Sequence, residues 1–181
     1  VQDLISFTSY NYLGLATHPN VIAAAKDALD QYGLGASSSP VVGGTLRVHN
    51  AFETSLLDYL DISSTHGVTL FPSGYSANIG TIAGLFTSQH IILMDELSHV
   101  SIIEGAKLSG ATCYFFKHND AIDLEKKLNA IQHKNCRKLV VTEGVFSSNG
   151  KVGQVNKVCH VAKQYGALTL VDEAHSMFAM G

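Results

Sequence analysis

Short apolar runs alternate with helical patterns from about residue 20 to the end of the chain. Each run is rich in Val, Ile, Leu, Thr or Phe, and continuous apolar runs of this kind are typical of strands buried on both faces of a parallel sheet. The strand candidates are Val68–Phe71, Ile91–Met94, Thr112–Phe116, Leu139–Thr142 and Leu168–Val171.

Helical patterns lie before and between these runs, so the alternation predicts an α/β fold in which helices cross over between parallel strands. Residues 1–60 are predicted to form an N-terminal segment with helices that lead into a large domain. Residues 61–181 are predicted to form the first part of that domain. The helix candidates are Pro19–Tyr32, Val48–Leu60, Tyr75–Leu85, Val100–Leu108, Ala121–Gln132 and Val155–Tyr165.

The charge and composition of the chain exclude several classes of function. With 12 basic and 15 acidic residues the formal net charge is −3, and no basic stripe is present to hold a nucleic acid backbone. The apolar stretches Ile79–Phe86 and Ile91–Met94 fall well short of the ~20 residues that span a bilayer. Cys113, Cys136 and Cys159 have neither disulfide nor zinc-site spacing. We therefore expect a cytoplasmic protein with no nucleic acid partner and no membrane segment.

Polar residues follow four of the five strand candidates. In open parallel sheets ligands bind beyond the carboxyl ends of the strands, so the loops that contain these residues are candidates for one shared site. The loops are Pro72–Ser76, Asp95–His99, Glu143–Ser147 and Asp172–His175.

The turn formed by Ser73, Gly74 and Tyr75 lies between a predicted strand and a predicted helix. Its backbone N–H groups and the positive end of the helix would face an anion placed there, and a phosphate suits such a place. The alternative is an ordinary strand-to-helix turn in which glycine allows a tight bend.

Asp172 ends an apolar strand candidate, where an unpaired carboxylate would be costly to bury. Its partner could be His175, three residues later, or a protonated ring nitrogen of a bound cofactor. His99 could be a helix cap or a core residue, but its place on the same rim favours a role in the site. The remaining histidines lack metal-ligand spacing, so no metal site is predicted.

Asp172–His175 also spells the sequence that names a class of helicases. Such an enzyme needs an upstream G-x-x-x-x-G-K-[ST] loop to hold the phosphates of ATP. The nearest string, Gly144–Val152, has the wrong spacing and no hydroxyl at its end. The helicase interpretation is therefore rejected, and the absence of G-x-S-x-G and G-x-G-x-x-G strings leaves hydrolase and nicotinamide interpretations unsupported.

Taken together, these segments resemble the α-oxoamine synthases, which are pyridoxal phosphate (PLP) enzymes of the aspartate aminotransferase fold type. The resemblance implies the three-layer α/β/α, mostly parallel sheet of the PLP fold type I large domain, truncated and preceded by an N-terminal helical segment. It covers nearly the whole chain in ordered blocks, which are Ser9–Leu15, Gly43–His49, Phe71–Asn78, Asp95–Ile102, Phe116–Asp120, Glu143–Ser147 and Asp172–Ser176.

The activity that the resemblance implies is a decarboxylative condensation. A small amino acid would react with an acyl thioester, carried by coenzyme A or by an acyl carrier protein, to give an α-aminoketone and CO₂. The cofactor would be pyridoxal 5'-phosphate, whose protonated ring withdraws electrons from the substrate carbanion.

The resemblance also implies roles for individual residues. Asp172 would pair with the ring nitrogen of the cofactor, His99 would stack on the ring, and His175 and Ser147 would reach the phenolic oxygen. His99, Asp172 and His175 would thus be the catalytic residues. The turn of Ser73, Gly74 and Tyr75 would bind the phosphate through its amides, and Asn11 is the candidate substrate-binding residue. Tyr10, Pro40 and Asn149 depart from the usual family pattern.

In this family the Schiff-base lysine follows the Asp172–Ser176 block by a few dozen residues, which is beyond Gly181. We therefore expect the chain to be an N-terminal fragment that is inactive alone, and we expect the complete protein to be a homodimer. Two alternatives remain open: a lysine-less partner subunit that does not catalyse the reaction, and an aminotransferase of the same fold type.

Overall fold

The computed structural model describes residues 5, 7–62 and 64–180. It divides into two compact units, one ending at Leu70 and the other beginning at Phe71. The sequence-based boundary was placed after residue 60. Among the described residues, no helix is long and apolar enough to cross a membrane.

The first unit contains a short 3₁₀ helix, Leu15–Thr17, and the helices α1, Pro19–Tyr32, and α2, Arg47–Tyr59. Helix α1 begins at Pro19, whose missing N–H costs nothing in a first turn, and Nδ1 of His18 accepts the N–H of Asn20 at 3.3 Å. Neither α1 nor α2 contains a buried residue. Among the described residues of the first unit, the two helices therefore have no apolar core of their own.

The second unit is a parallel sheet with helical crossovers. Its strands are β1, Ile91–Asp95; β2, Thr112–Phe116; β3, Lys138–Glu143; and β4, Leu168–Asp172. The strand order is β2-β1-β3-β4, and all three pairings are parallel. All residues of β1 and β3 are buried, as the continuous apolar runs predict.

Four helices of the second unit cover the two faces of the sheet. These are α3, Gly74–Leu85; α4, Val100–Ser109; α5, Ala121–Ala130; and α6, Val155–Gln164. On one face, Leu124 of α5 and Val158 of α6 pack with Leu93 of β1. On the other, Ile82 of α3 and Ile102 of α4 pack with Ile92 of β1. Alternate residues of β1 thus enter opposite cores, and the unit has three layers.

The prediction of a strand at Val68–Phe71 is wrong. These residues have no regular secondary structure, and they lie at the division between the two units. Leu70 and Phe71 are 38% and 41% exposed, so the run is not buried in the sheet. The ring of Phe71 instead lies against Gly80 of α3, where an added Cβ would be 2.9 Å from Phe71 Cε1. Apolar character alone did not distinguish a strand from a segment that packs on a helix.

Candidate functional site

Acidic residues stand at the carboxyl ends of three neighbouring strands: Asp95 on β1, Glu143 on β3 and Asp172 on β4. Glu143 and Asp172 are directly paired in the register of β3 and β4. A cleft opens beside these two side chains, at the edge of the sheet where the sequence predicted a site. It is lined by Gly74, Tyr75, Asn78, His99, Ser101, Glu143, Ser147, Asp172, Ala174 and His175.

The N-terminus of α3 forms one side of the cleft. The Ser73 hydroxyl caps this helix by accepting the N–H of Ser76 at 3.1 Å. The N–H groups of Gly74 and Tyr75 lie in the first turn, where an α-helix provides no carbonyl partner. A Cβ added at Gly74 would meet nothing within 4 Å. This helix end therefore offers backbone donors and open space to an anion.

The carboxylate of Asp172 is held by two donors. Nδ2 of Asn78 donates to Oδ2 at 2.8 Å, and the backbone N–H of Ala174 donates to Oδ1 at 3.0 Å. The first donor comes from α3 and the second from the loop that follows β4. Because both oxygens are engaged, the orientation of the carboxylate at the end of β4 is defined.

His99 is the N-cap residue of α4. Its Nδ1 accepts the N–H of Ser101 at 3.3 Å and lies 2.6 Å from the Ser101 hydroxyl. Its own backbone N–H donates to Oε1 of Glu143 at 2.6 Å. The His99 ring also meets the Tyr75 ring edge to face, with 6.2 Å between the ring centroids. Both the backbone and the ring of His99 are therefore fixed by neighbouring elements.

Glu143 is a buried carboxyl group at the centre of this arrangement, with 3% of its surface exposed. Burial raises its pKa to about 7, and the negative charges of Asp172 and Asp95 act in the same direction. Backbone N–H groups of His99 and Ser147 donate to it and partly oppose this rise. Glu143 thus joins two residues that the sequence assigned to the cofactor, and it can gain or lose a proton near neutral pH.

Ser147 lies in the loop that follows β3. The N–H of Gly144 donates to the carbonyl of Asp172 at 2.9 Å, and Phe146 donates to the carbonyl of Lys151 at 2.9 Å. A bridge between Val145 and Val152 closes the loop. The position of Ser147 beside the cleft is therefore set by backbone pairing.

The carboxylate of Asp95 contacts residues of the loops beside the cleft. It accepts the N–H groups of Leu97 at 2.8 Å and Asn119 at 2.7 Å, and Nδ1 of His118 lies 3.0 Å from it. The His118 ring stands on the Phe146 ring with 4.5 Å between centroids. Asp95 and His118 thus connect the loops that follow β1, β2 and β3.

The structure brings six of the predicted site residues to the cleft: Gly74, Tyr75, His99, Ser147, Asp172 and His175. Ser73 caps α3 at its border. Asn11 belongs to the first unit, where its Oδ1 accepts the N–H of Ala16 at 3.2 Å. The substrate-binding role of Asn11 stays a prediction.

Sequence reasoning gave no role to Asn78, Ser101 or Glu143, although Glu143 begins one of the four loops that it placed at the site. Glu143 stands at a strand end, so the same reasoning that gave a role to Asp172 could have given one to Glu143. Asn78 lies one helical turn after Tyr75, and Ser101 lies two residues after His99. The contact between Asn78 and Ser101 depends on how α3 packs on α4, which no local pattern reveals. Among the described residues, no group of His, Cys, Asp or Glu could hold a metal ion.

Residues 2–181 match the family model described as aminotransferase class I and II. The chain belongs to the class I and II aminotransferase family. Within this family it is 36% identical over 180 residues to the 8-amino-7-oxononanoate synthase of Thermoanaerobacter pseudethanolicus, covering 99% of this chain and 45% of that protein. It is 39% identical over 180 residues to the serine palmitoyltransferase of Sphingomonas paucimobilis, covering 99% and 42%.

A solved structure gives the same relationship for the fold. A variant of the S. paucimobilis serine palmitoyltransferase, with a bound PLP–myriocin adduct, superposes with a TM-score of 0.85 at 39% identity and covers 91% of this chain and 40% of that one. The resemblance to α-oxoamine synthases and the predicted α/β fold are thereby confirmed. The chain spans less than half the length of the curated relatives that it matches in this family.

Proposed function

We propose that the complete protein containing this chain is a PLP-dependent α-oxoamine synthase. It would condense a small amino acid with an acyl thioester and release CO₂, giving an α-aminoketone. The observation that carries the proposal is the cleft in which a helix N-terminus, the Asp172 carboxylate and two imidazoles converge. The relatives bearing 8-amino-7-oxononanoate synthase and serine palmitoyltransferase names support it.

The residues of the cleft fit this cofactor. The free amides at the start of α3 suit its phosphate. The fixed carboxylate of Asp172 suits a protonated ring nitrogen, because a charge-assisted hydrogen bond is about twice as strong as a neutral one. His99, held at its backbone and at Nδ1, suits a flat ring contact. His175 and Ser147 lie in the same cleft and suit the phenolic oxygen.

When bound, the cofactor supplies an electron sink for the carbanion that forms on the amino acid. The chain's own residues contribute binding and electrostatics. Asp172 would keep a proton on the ring nitrogen, and its two donors, Asn78 and Ala174, hold it in one orientation. Gly74 and Tyr75 would bind the phosphate, and the Ser73 cap would keep their helix turn formed.

We propose further that Asn11 contacts the amino acid substrate, as the block Ser9–Leu15 suggests. The complete protein is proposed to be a homodimer that works in the cytoplasm. The odd number of cysteines, without disulfide spacing, supports the cytoplasmic location. Light scattering of the full-length protein, with and without PLP, tests the oligomeric state; a monomer under both conditions contradicts it.

Cofactor binding is tested by titrating the full-length protein with PLP and recording its absorbance. We expect saturable binding, and we expect Asp172→Asn to weaken it by at least about tenfold because an amide cannot balance a ring cation. Glu125→Gln removes an exposed carboxylate from α5 and is the matched control. Equal binding by Asp172→Asn and the control would count against the assignment of Asp172.

The reaction is tested by measuring CO₂ release across a panel of small amino acids and acyl thioesters. The proposal requires release that depends on both substrates. Exchange of amino groups without any requirement for a thioester would instead identify an aminotransferase. Absence of PLP binding by the full-length protein would favour a partner subunit that does not catalyse the reaction.

A further inference from the structure

Four side chains form a continuous hydrogen-bonded series across the cleft. Asp172 Oδ2 accepts from Asn78 Nδ2 at 2.8 Å, Asn78 Nδ2 also donates to Ser101 Oγ at 2.9 Å, and Ser101 Oγ lies 2.6 Å from His99 Nδ1. Asn78 and Ser101 are 9% and 0% exposed. The series thus connects the end of β4 with the N-cap of α4 through buried groups.

The direction of each hydrogen bond in this series follows from the chemistry of its ends. A carboxylate only accepts, so the amide of Asn78 must present its NH₂ group to Asp172. One hydrogen of that group goes to Asp172 and the other to Ser101. The hydroxyl of Ser101 therefore accepts from Asn78, and its own hydrogen is left for His99.

The same reasoning defines the tautomer of His99. Nδ1 faces the hydroxyl of Ser101 at 2.6 Å and the backbone N–H of Ser101 at 3.3 Å. Both groups donate to it, so Nδ1 is the acceptor nitrogen. In a neutral imidazole the proton then resides on Nε2.

We propose that Asn78 is a positioning residue that orients Asp172 and, through Ser101, sets the tautomer of His99. The consequence for catalysis rests on the proposed function: His99 would act toward the substrate as an Nε2–H donor, and Nδ1 would be unavailable as a base. Because buried polar networks are stabilised only when every member is satisfied, replacing the amide of Asn78 should disturb both ends of the series.

The tautomer can be observed without any cofactor. The full-length, PLP-free protein is labelled with ¹⁵N-histidine and studied by solid-state NMR, and the His99 signals are assigned by difference from His99→Asn. We expect an unprotonated Nδ1 and a protonated Nε2. A protonated Nδ1 in the wild-type protein overturns the proposal.

Asn78→Asp reverses the series, because a carboxylate at position 78 accepts from Ser101 and draws the hydroxyl hydrogen away from His99. We expect the His99 signals to move toward the Nδ1–H tautomer. Asn129→Asp, an exposed asparagine on α5, is the matched control and should leave them unchanged. Identical His99 signals in Asn78→Asp and the control contradict the proposal.

Ser101→Ala keeps the Asn78–Asp172 bond and removes the Ser101 hydroxyl, which accepts from Asn78 and donates to His99. This variant covers the case in which Asn78→Asp does not fold. We expect the Nδ1 signal of His99 to move to a higher chemical shift, as for a nitrogen that loses a donor, and Nε2 to stay protonated. An unchanged Nδ1 signal overturns the role of Ser101.

A second measurement tests the end of the series at Asp172. Asn78→Ala should weaken PLP binding about fivefold, the loss of one hydrogen bond that orients Asp172, whereas Asn129→Ala, at the exposed asparagine of α5, should leave PLP binding within about twofold. Equal affinities for wild type and Asn78→Ala contradict the positioning of Asp172. If the wild-type protein bound no PLP, the proposed function would fail, but the tautomer result would still stand on its own.

Discussion

Glu143 shows how one buried residue can link several parts of a site. It ends β3 directly beside Asp172 in the strand register, and its carboxyl group accepts N–H donors from the loops that contain His99 and Ser147. Burial and the nearby carboxylates favour its protonated form. Glu143 therefore holds the backbone of two site loops and can also gain or lose a proton near neutral pH.

Glu143→Gln should change how stability depends on pH. The pKa of Glu143 is raised from its ordinary value of 4.5 to about 7, so between these values the folded state holds a proton that the unfolded state releases. The free energy of unfolding should therefore fall as pH rises from 4.5 to about 7, by up to about 3 kcal/mol for this group. Glutamine retains an acceptor oxygen for the two N–H groups but cannot titrate.

Urea midpoints of the full-length wild-type and Glu143→Gln proteins at pH 5, 6, 7 and 8 would measure this effect. The glutamine variant should gain stability relative to wild type as pH rises through the window. A constant difference between the two proteins at all four pH values would show that Glu143 does not titrate there.

At this scale the sequence predicted the residues that stand at strand ends or helix starts. Asp172, His99 and the Gly74–Tyr75 turn were found because their places along the chain define their places on the rim. Asn78 and Ser101 were not found, because both lie within helices and reach the site only through the packing of α3 on α4. The rise in the pKa of Glu143 could not be anticipated either, since it depends on burial.

The contact between α3 and α4 is close because Gly105 has no side chain. A Cβ at this position would be 3.1 Å from Ile79 Cα and 3.2 Å from both the Asn78 carbonyl oxygen and Ile82 Cβ. Two of these three atoms belong to the backbone of α3 and cannot rotate away. The glycine thus allows the helix that carries Asn78 to approach the helix that carries Ser101.

Gly105→Ala should separate these two helices and destabilise the fold by about 1–3 kcal/mol, the usual cost of overpacking. Gly84→Ala is the matched control, because the same added methyl group on α3 meets nothing within 4 Å and alanine favours a helix. Thermal unfolding should therefore show a lower midpoint for Gly105→Ala and an equal or higher one for Gly84→Ala. Equal midpoints for the two variants would contradict the close approach.

Helix α5 depends on a side-chain cap at its start. Oδ1 of Asp120 accepts the N–H groups of Ile122 and Asp123, each at 3.0 Å. Asp120→Ala should cost about 1 kcal/mol, and Asp120→Asn should cost much less because asparagine also caps helices. Chemical denaturation of the wild type and the two variants measures their free energies of unfolding. A larger loss in Asp120→Asn than in Asp120→Ala would contradict the prediction.

Elements were predictable where local chemistry specifies their ends. Pro19 and Gly33 bracket α1, and its predicted bounds match the structure. The predicted strand at Val68–Phe71 failed because a short apolar run does not reveal its partner: Phe71 packs on a helix glycine instead of joining the sheet.

On the scale of the whole chain, burial is distributed unequally between the two units. In the second unit, both core clusters lie within residues 82–162, and β1 is paired on both sides and fully buried. In the first unit, α1 and α2 contain no buried residue. Since local opening is easiest where few apolar contacts must be broken, the two units should differ in how often their hydrogen bonds open.

Hydrogen exchange of the 181-residue chain measures this difference. Amides of β1 and β3 should exchange at least about tenfold more slowly than those of α1 and α2. Helix α5 isolates the effect of burial from that of secondary structure: it is a surface helix like α1 but buries Leu124 and Leu128, so its amides should exchange more slowly than those of α1. Protection of α1 as strong as that of β1 would contradict this prediction. Burial would then not explain the difference in stability, and the first unit would have to be stabilised by contacts other than a core of its own.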